Sequence, residues 1–244
     1  MAGHSKWKNI QRTKNAQDAR RGKFFTKIAR EIIVAVKEGG GGVPANNSKL
    51  AAAVAKAKAA NMPNENIKKT IEKAMGAGSG DNYERVTYEG YGPCGVAVIV
   101  EAMTDNRKRT AADMRHLFDK YGGNMGSAGC VSWSFDRKGV IIIENEENSI
   151  DEEKILLDAI DAGADDIETE ETVFEIYTSP DDFTSVSGAL ETAGYAFLSA
   201  QIEMVPQNYI TLTEPGDLKN MEKMLELMED NDDVMSVWHN AILP

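Results

Sequence analysis

The hydrophobic period of the chain changes at one place, and this change limits the folds that the sequence can adopt. Before the segment "GAGSGD", at residues 76–81, apolar residues recur every three or four positions, as they do in amphipathic helices. After this segment they alternate or run together, as they do in strands, and further helical stretches separate these strands. The sequence therefore predicts a helical domain followed by α/β structure.

Three short helices are predicted before this linker. The first covers about residues 15–37, with apolar side chains on one side and Lys or Arg side chains on the other. Four glycines at residues 39–42 end it, and an alanine-rich helix follows. A third helix is expected to begin near Pro63, since proline is favoured in a first helical turn. Short helices joined by tight loops favour a small bundle.

The rest of the chain contains β-α-β patterns. The strand "GVAVIVEAM", a helix capped by Asp105 and the strand "CVSWSF" form one pattern, and "YITLT", a helix and "VMSVWHN" form another. Between these two patterns, residues 139–206 contain the order β-α-β twice in succession. This arrangement is typical of two β-α-β-β-α-β units, one inserted in the other. We predict an α+β fold: an N-terminal three-helix domain followed by two ferredoxin-like α/β domains, one inserted in the other.

The charge distribution follows the predicted domain boundaries. Residues 1–79, the predicted basic helical domain, carry 16 Lys and Arg against 5 Asp and Glu. Residues 80–138 and 207–244 form the predicted outer α/β domain, and residues 139–206 form the predicted acidic insert. The insert has 1 Lys and 18 acidic residues, within a chain of net charge -12. A basic end on an acidic molecule indicates that the basic end meets a polyanion.

The basic side of the first helix is the strongest functional signal in the sequence. Arg20, Lys23, Lys27 and Arg30 follow one another at steps of three or four residues. Acidic partners at i,i+4 usually accompany such a face, but here only Lys27 has one, Glu31. The alternative interpretation is an ordinary solvated face, because helices keep Lys and Arg outside in any case.

Two further features extend this candidate site. Trp7, between two lysines, could stack on a base or could equally pin the arm to the bundle. The segment "TDNRKRT" places three basic residues in the first turn of a helix, where they oppose the helix dipole and an anion would offset the cost. The alternative there is an ordinary Asp105 cap with exposed charges. The predicted nucleic-acid-binding residues are Lys6, Trp7, Lys8, Arg12, Lys14, Arg20, Arg21, Lys23, Lys27, Arg30, Arg107, Lys108 and Arg109.

The sequence gives little support for catalysis, a metal or a cofactor. Its three histidines are scattered, and neither cysteine belongs to a C-x-x-C motif. The acidic residues of the insert lack a regular ligand spacing and are more typical of a solvated face than of a metal site. The glycine-rich "YGGNMGSAGC" follows a helix and has no G-K-[ST], so it predicts a turn, with a binding tip as the minority interpretation. No apolar run is long enough to span a bilayer. We predict no catalytic residue, no metal, no cofactor and no membrane partner.

Several long motifs resemble the YebC/PmpR family, which includes bacterial regulators and a mitochondrial translational activator of cytochrome oxidase. They are "AGHSKWKNIQ", "DARRGKFFTKIAREI", "ANMPNENI", "YEGYGPCGVAVIVEAMTDNRKRT" and "YGGNMGSAGCVSWSFDRKG". The resemblance covers nearly the whole chain and implies three domains and a cytoplasmic, non-enzymatic role. In this family that role is described as DNA-binding transcriptional regulation and also as ribosome-associated help with translation. Cys94 stands where the family pattern usually has glycine.

Three functions stay open at this point. The first is a DNA-binding transcriptional regulator that contacts transcription machinery through its acidic domains. The second is a ribosome-associated translation factor that binds ribosomal RNA through the same basic domain. The third is an adaptor whose acidic insert binds basic proteins. An acidic insert is repelled by any polyanion beside it, which slightly favours a shaped RNA or a protein target. The family's description favours transcription.

Overall fold

A computed structural model gives the fold of residues 23–76, 83–145, 149–170 and 172–243. The described residues divide into two compact units. The first unit comprises residues 23–131 and 213–237, and the second comprises residues 132–212 and 238–243. The α+β class predicted from the sequence is confirmed, since both units combine helices with sheets.

Three helices open the first unit. They are α1 (residues 23–38), α2 (Ser48–Ala59) and α3 (Asn64–Met75). The predicted apolar stripe of α1 packs into their common core, where Ile28 and Ile32 are almost completely buried. The side chain of Asn47 caps α2 by accepting a hydrogen bond from the Leu50 N–H, and its amide donates to the Ala35 carbonyl in α1. The residue that caps α2 therefore also holds the start of α2 against α1.

The first unit also contains a four-stranded sheet in the order β3-β1-β2-β9. Its strands are β1 (Glu84–Tyr91), β2 (Ala97–Thr104), β3 (Asn124–Met125) and β9 (Val234–His239). The helices α4 (Arg107–Lys120) and α7 (Pro215–Asp230) belong to the same unit. Met114 and Phe118 of α4 and Met221 and Met228 of α7 have no exposed surface, so these side chains form part of the unit's apolar interior.

The connection of this sheet differs from the expected β-α-β-β-α-β order. β1, which the sequence analysis did not single out, pairs with β2 along its whole length in an antiparallel hairpin. The turn at Pro93–Gly95 places Cys94 (φ 55°) and Gly95 (φ 76°) in the left-handed region. Glycine is favoured in that region because a Cβ atom crowds the backbone there, so Cys94 adopts a conformation that is unfavourable for a residue with a side chain.

The second unit contains a complete β-α-β-β-α-β segment. Its elements are β4 (Phe135–Glu144), α5 (Glu152–Ala162), β5 (Asp166–Thr169), β6 (Val173–Thr178), α6 (Phe183–Thr192) and β7 (Ser199–Pro206). The strand order is β5-β6-β4-β7, and all neighbours are antiparallel. Each helix thus connects two strands that have one other strand between them in the sheet, which is the split β-α-β arrangement. Both helices contribute to one core cluster with the sheet.

Two predicted strands are wrong. In "CVSWSF", Ser132–Ser134 form a 3₁₀ turn, and the strand that begins at Phe135 continues through "GVIII" as β4 of the second unit. In "YITLT", only β8 (Ile210–Thr211) is a strand, and it pairs in parallel with β10 (Ala241–Ile242) in a separate two-stranded sheet. Helix α5 is capped by the Asp151 side chain, which accepts from the Glu153 and Lys154 N–H groups, whereas the sequence S-x-x-E at residues 149–152 predicts a cap at Ser149.

Candidate nucleic-acid interface

Just over half of the sequence-predicted site lies outside the described residues. These residues are Lys6, Trp7, Lys8, Arg12, Lys14, Arg20 and Arg21. The other six lie in the first unit, on α1 and on α4.

The predicted basic side of α1 lies against the acidic end of α7 and the segment that follows it. Lys23 Nζ lies 2.9 Å from Asp230 Oδ2, and Lys27 Nζ donates to the Glu229 carbonyl at 2.7 Å. Arg30 Nη1 donates to Asp233 Oδ1 at 2.8 Å and also to the Asp232 carbonyl. These three charges therefore have protein partners about 200 residues further along the chain, although the Lys23 side chain stays 48% exposed.

Asp233 is the centre of a buried polar cluster. Its Oδ2 accepts hydrogen bonds from Thr104 Oγ1 at 3.1 Å, Thr110 Oγ1 at 2.8 Å and Arg109 Nη2 at 2.7 Å. Its Oδ1 accepts from Arg30. One carboxylate thus joins α1, the end of β2 and the start of α4, and it compensates the charges of Arg30 and Arg109.

Burial and hydrogen bonding set the ionisation of this junction. Burial alone would raise the pKa of Asp233, but hydrogen bonds from Arg109, Thr110 and Thr104 outweigh it and hold that pKa below its ordinary value. Burial lowers the pKa of Lys27 to about 8, although the nearby acidic groups, Glu229 first among them, oppose the change. The junction therefore contains one stabilised carboxylate and one lysine whose charge is costly.

The start of α4 exposes two of the predicted cations and uses the third. The expected Asp105 cap is wrong, since the Asn106 side chain accepts from the Arg109 N–H at 3.1 Å. Asp105 instead pairs with Arg109, which also binds Asp233. Arg107 and Lys108 are exposed, and neither side chain forms an ion pair within the described part of the chain.

Arg115 is a candidate residue that the sequence analysis missed. It lies seven residues, or about two turns, after Lys108 and so on the same side of α4. Arg115 is exposed, and no acidic group among the described residues lies within ion-pair distance of it. We call Arg107, Lys108 and Arg115 the α4 basic face. The seven-residue spacing on a predicted helix was the available signal.

The glycine-rich segment after α4 is a fixed turn. Glu89, a buried residue of β1, accepts the Gly129 N–H at 2.8 Å and the Val131 N–H at 3.0 Å with its two carboxylate oxygens. Gly123 lies so close to β1 that a Cβ atom there would stand 2.3 Å from the Tyr91 carbonyl oxygen. The minority interpretation as a binding tip gains no support from this anchoring.

Within the described ranges, no three His, Cys, Asp or Glu side chains come together in a group that could hold a metal ion. None of the helices in these ranges has both the length and the apolar character needed to cross a membrane.

Comparison with known proteins gives matches over nearly the whole chain. A model described as the TACO1/YebC protein N-terminal domain matches residues 5–77, and one described as the TACO1/YebC second and third domain matches residues 83–241. A protein of Geobacillus kaustophilus, named a probable transcriptional regulatory protein, is 56% identical over 240 residues, covering 98% of this chain and 97% of the relative. A protein of Acetivibrio thermocellus with the same kind of name is 55% identical over 240 residues, covering 98% of both chains.

A solved structure supports the fold. The crystal structure of a conserved hypothetical protein from Aquifex aeolicus is similar to this chain with a TM-score of 0.82 and 44% sequence identity. The match covers 93% of this chain and 92% of that one.

Proposed function

Because the chain belongs to the TACO1/YebC family, we propose that it regulates gene expression by binding nucleic acid, as a DNA-binding transcriptional regulator. Its relatives are named probable transcriptional regulatory proteins, which supports a regulator at the level of the family. The observation that carries the binding proposal is the α4 basic face, whose three cations are exposed and have no ion-pair partner among the described residues.

The α4 basic face has the chemistry of a phosphate contact. Arg and Lys side chains bind phosphate oxygens, and each phosphate that they neutralise releases condensed counterions. Three such contacts correspond to a slope of about -3 in log K against log salt on duplex DNA. The basic residues between Lys6 and Arg21 would add to this number.

The acidic segments of the chain would limit unspecific binding. Residues 139–206 carry 18 acidic residues and 1 Lys, so this part of the molecule is repelled by a phosphate backbone. We expect this repulsion to disfavour binding modes that bring the insert close to a phosphate backbone.

A second candidate is a ribosome-associated translation factor, and one feature of α4 favours it. On the side shared by Lys108 and Arg115, the intervening position is Ala112 and the next is Asp119. This side offers cations, which bind phosphates or a guanine edge, but no Asn or Gln amide for an adenine edge. Such a surface suits a folded RNA that is recognised by its shape and backbone.

Two binding assays with one pair of variants test the proposal. The test variant is Arg107→Gln/Lys108→Gln/Arg115→Gln. The control is Lys68→Gln/Lys69→Gln/Lys154→Gln, which makes the same charge change at lysines that each pair with a carboxylate on their own helix. Selection from a random duplex library and co-sedimentation with ribosomes are measured at physiological salt.

Transcriptional regulation would be supported if the selection enriches one duplex motif. The control should bind this motif, and the test variant should bind it at least about tenfold more weakly. Ribosome binding with the same sensitivity and no enriched motif would overturn the DNA assignment in favour of the translation factor. Equal binding by both variants in both assays would refute the nucleic-acid role of α4.

A further inference from the structure

Helix α5 of the second unit has apolar side chains on two opposite sides. Ile155 and Ala159 are fully buried and pack against α6 and the sheet. Leu157 and Ile160 are 62% and 63% exposed. Surface helices normally keep one apolar stripe and cover it, so the second apolar side requires an explanation.

The exposed pair has the geometry of a docking site for a helix. Leu157 and Ile160 are three residues apart and therefore neighbours on the helix surface, on the side away from Ile155 and Ala159. Glu153 lies one turn before Leu157, Asp161 lies one turn after it, and both are exposed. Two aliphatic side chains are thus bordered by carboxylates on the same outward face.

The surroundings of this pair are strongly negative. Between residues 151 and 166 there are seven acidic residues and one basic residue, Lys154. That lysine is held by Asp158 at 2.8 Å and lies over the Tyr195 ring. The neighbouring helix α6 contains no Lys or Arg. The helical side of the second unit therefore offers apolar contact only to a partner that is also cationic.

We propose that the outward face of α5, formed by Glu153, Leu157, Ile160 and Asp161, docks a basic amphipathic helix of a partner protein. The aliphatic pair supplies the apolar anchor, and the flanking carboxylates pair with Lys or Arg of the partner. The charge of the face decides between occupants. Nucleic acid is repelled, and two copies of α5 meeting around a twofold axis would bring Glu153 and Asp161 against acidic residues of the same kind.

Peptide binding to the full-length chain tests this proposal. The probe is a labelled synthetic helix of about 15 residues with Leu at i, i+3 and i+7 and Lys or Arg on the flanks, beside a scrambled peptide of the same composition. The test variant is Leu157→Ser/Ile160→Ser. Because both native side chains are exposed, these substitutions leave the core intact. The control is Val43→Ser/Met75→Ser, which removes apolar side chains that are each 57% exposed on the helical domain.

We expect the amphipathic peptide to bind the full-length chain and the control variant with the same Kd. The substitutions Leu157→Ser/Ile160→Ser should raise this Kd at least about tenfold. Amide shifts of the bound protein, followed by NMR, should map to α5. The variant Glu153→Gln/Asp161→Gln should also weaken binding and flatten its salt dependence.

Three results would overturn the proposal. Equal affinity for the scrambled peptide would mean that bulk charge alone attracts the probe. Unchanged affinity in Leu157→Ser/Ile160→Ser would place the binding elsewhere. A dimer of the chain that this variant dissociates would assign the face to a second copy. The α4 variant should bind the peptide normally, so this test is independent of the proposed nucleic-acid function.

Discussion

At the scale of single residues, Asp233 is a buried carboxylate that joins α1, β2 and α4. The residue is 4% exposed, and its carboxylate accepts hydrogen bonds from four side chains on three elements. A buried carboxylate with these partners is costly to remove, because two arginines and two threonines would lose the acceptor that they share, and the charge of Arg30 would lose its buried counter-charge.

Asp233→Ala should therefore lower the free energy of unfolding by about 3–5 kcal/mol, as expected when one member of a buried ion pair is removed. Urea denaturation at pH 7 measures the change. Asp119→Ala, at an exposed acidic residue of α4, should stay within about 0.5 kcal/mol of the unchanged protein. Equal stability of the two variants would contradict the role given to the cluster.

The stabilisation from Asp233 should depend on acid pH. Its pKa is lower in the folded than in the unfolded chain, so the contribution is complete above the ordinary value of 3.8 and is lost as pH falls through the lowered pKa. Asp233→Asn cannot ionise, so its stability difference from the unchanged protein should shrink below pH 3.8. Urea titrations at several pH values between neutrality and acid measure this, and a difference that grows in acid would contradict it.

Lys27 should produce the opposite kind of pH dependence. Its pKa falls from 10.5 to about 8 on folding, so between these values the unfolded chain binds more protons and stability rises with pH. The rise should be about 1–3 kcal/mol and should be absent in Lys27→Met. Unfolding by urea between pH 7 and 10 measures it, with Lys68→Met, at an exposed lysine, as the control. An unchanged pH slope in Lys27→Met would show that Lys27 is fully solvated.

The partners of Lys23, Lys27 and Arg30 could not be predicted from sequence because they lie about 200 residues away. One local signal existed. Val34 continues the same row of residues at steps of three or four, and it is 3% exposed. An apolar residue in a basic stripe indicates that protein covers this side of the helix.

At the scale of elements, the hydrophobic period predicted the helices well and the strands less well. In "CVSWSF", Val131 and Phe135 are buried while Trp133 is 70% exposed, so the apolar alternation that predicted a strand is interrupted by a turn. In β1, Glu89 is buried although it lies on the same side of the strand as the exposed Arg85 and Thr87, and a buried carboxylate hides the alternating pattern. The wrong strand at "CVSWSF" and the missed strand β1 have one cause. Around this turn the apolar Trp133 is exposed and the charged Glu89 is buried, which reverses the usual places of apolar and polar side chains.

Glu89 should decide the rigidity of the glycine-rich turn. Glu89→Gln keeps one acceptor oxygen and places an NH₂ group against the other backbone N–H, which should cost about 1–3 kcal/mol. Amide hydrogen exchange at Gly129 and Val131 should become faster, because these are the N–H groups that the carboxylate accepts. Glu84→Gln, at an exposed residue of the same strand, is the control. Unchanged exchange in Glu89→Gln would mean that the turn is held by other contacts.

At the scale of the whole molecule, the charge is divided unequally between the units. Residues 132–212 carry 19 acidic residues against 3 Lys and Arg, so the second unit repels itself. The first unit contains the basic helices, and there the acidic end of α7 lies against α1. Segment charges could be counted from the sequence, but only the fold reveals which charges compensate each other.

Salt should therefore stabilise the second unit more than the first. Raising NaCl from about 20 to 300 mM screens like charges on the second unit, and the opening free energy of amides in β4 and β6 should rise by on the order of 1 kcal/mol. The buried pair of Arg30 with Asp233 is screened less, so amides of β2 should change less. Site-resolved hydrogen exchange at both salt concentrations measures the two responses. A loss of protection in β4 and β6 at high salt would contradict the expectation.

The pairing of Arg30 with Asp233 also has a consequence in time. The two residues are 203 positions apart along the chain. At a synthesis rate of about 5–20 residues per second, roughly 10–40 s pass between the appearance of one and the other. During that interval the nascent α1 has no α7 beside it, and its positive charges stay uncompensated. The ion pair can therefore close only after α7 and the segment that follows it have been synthesised.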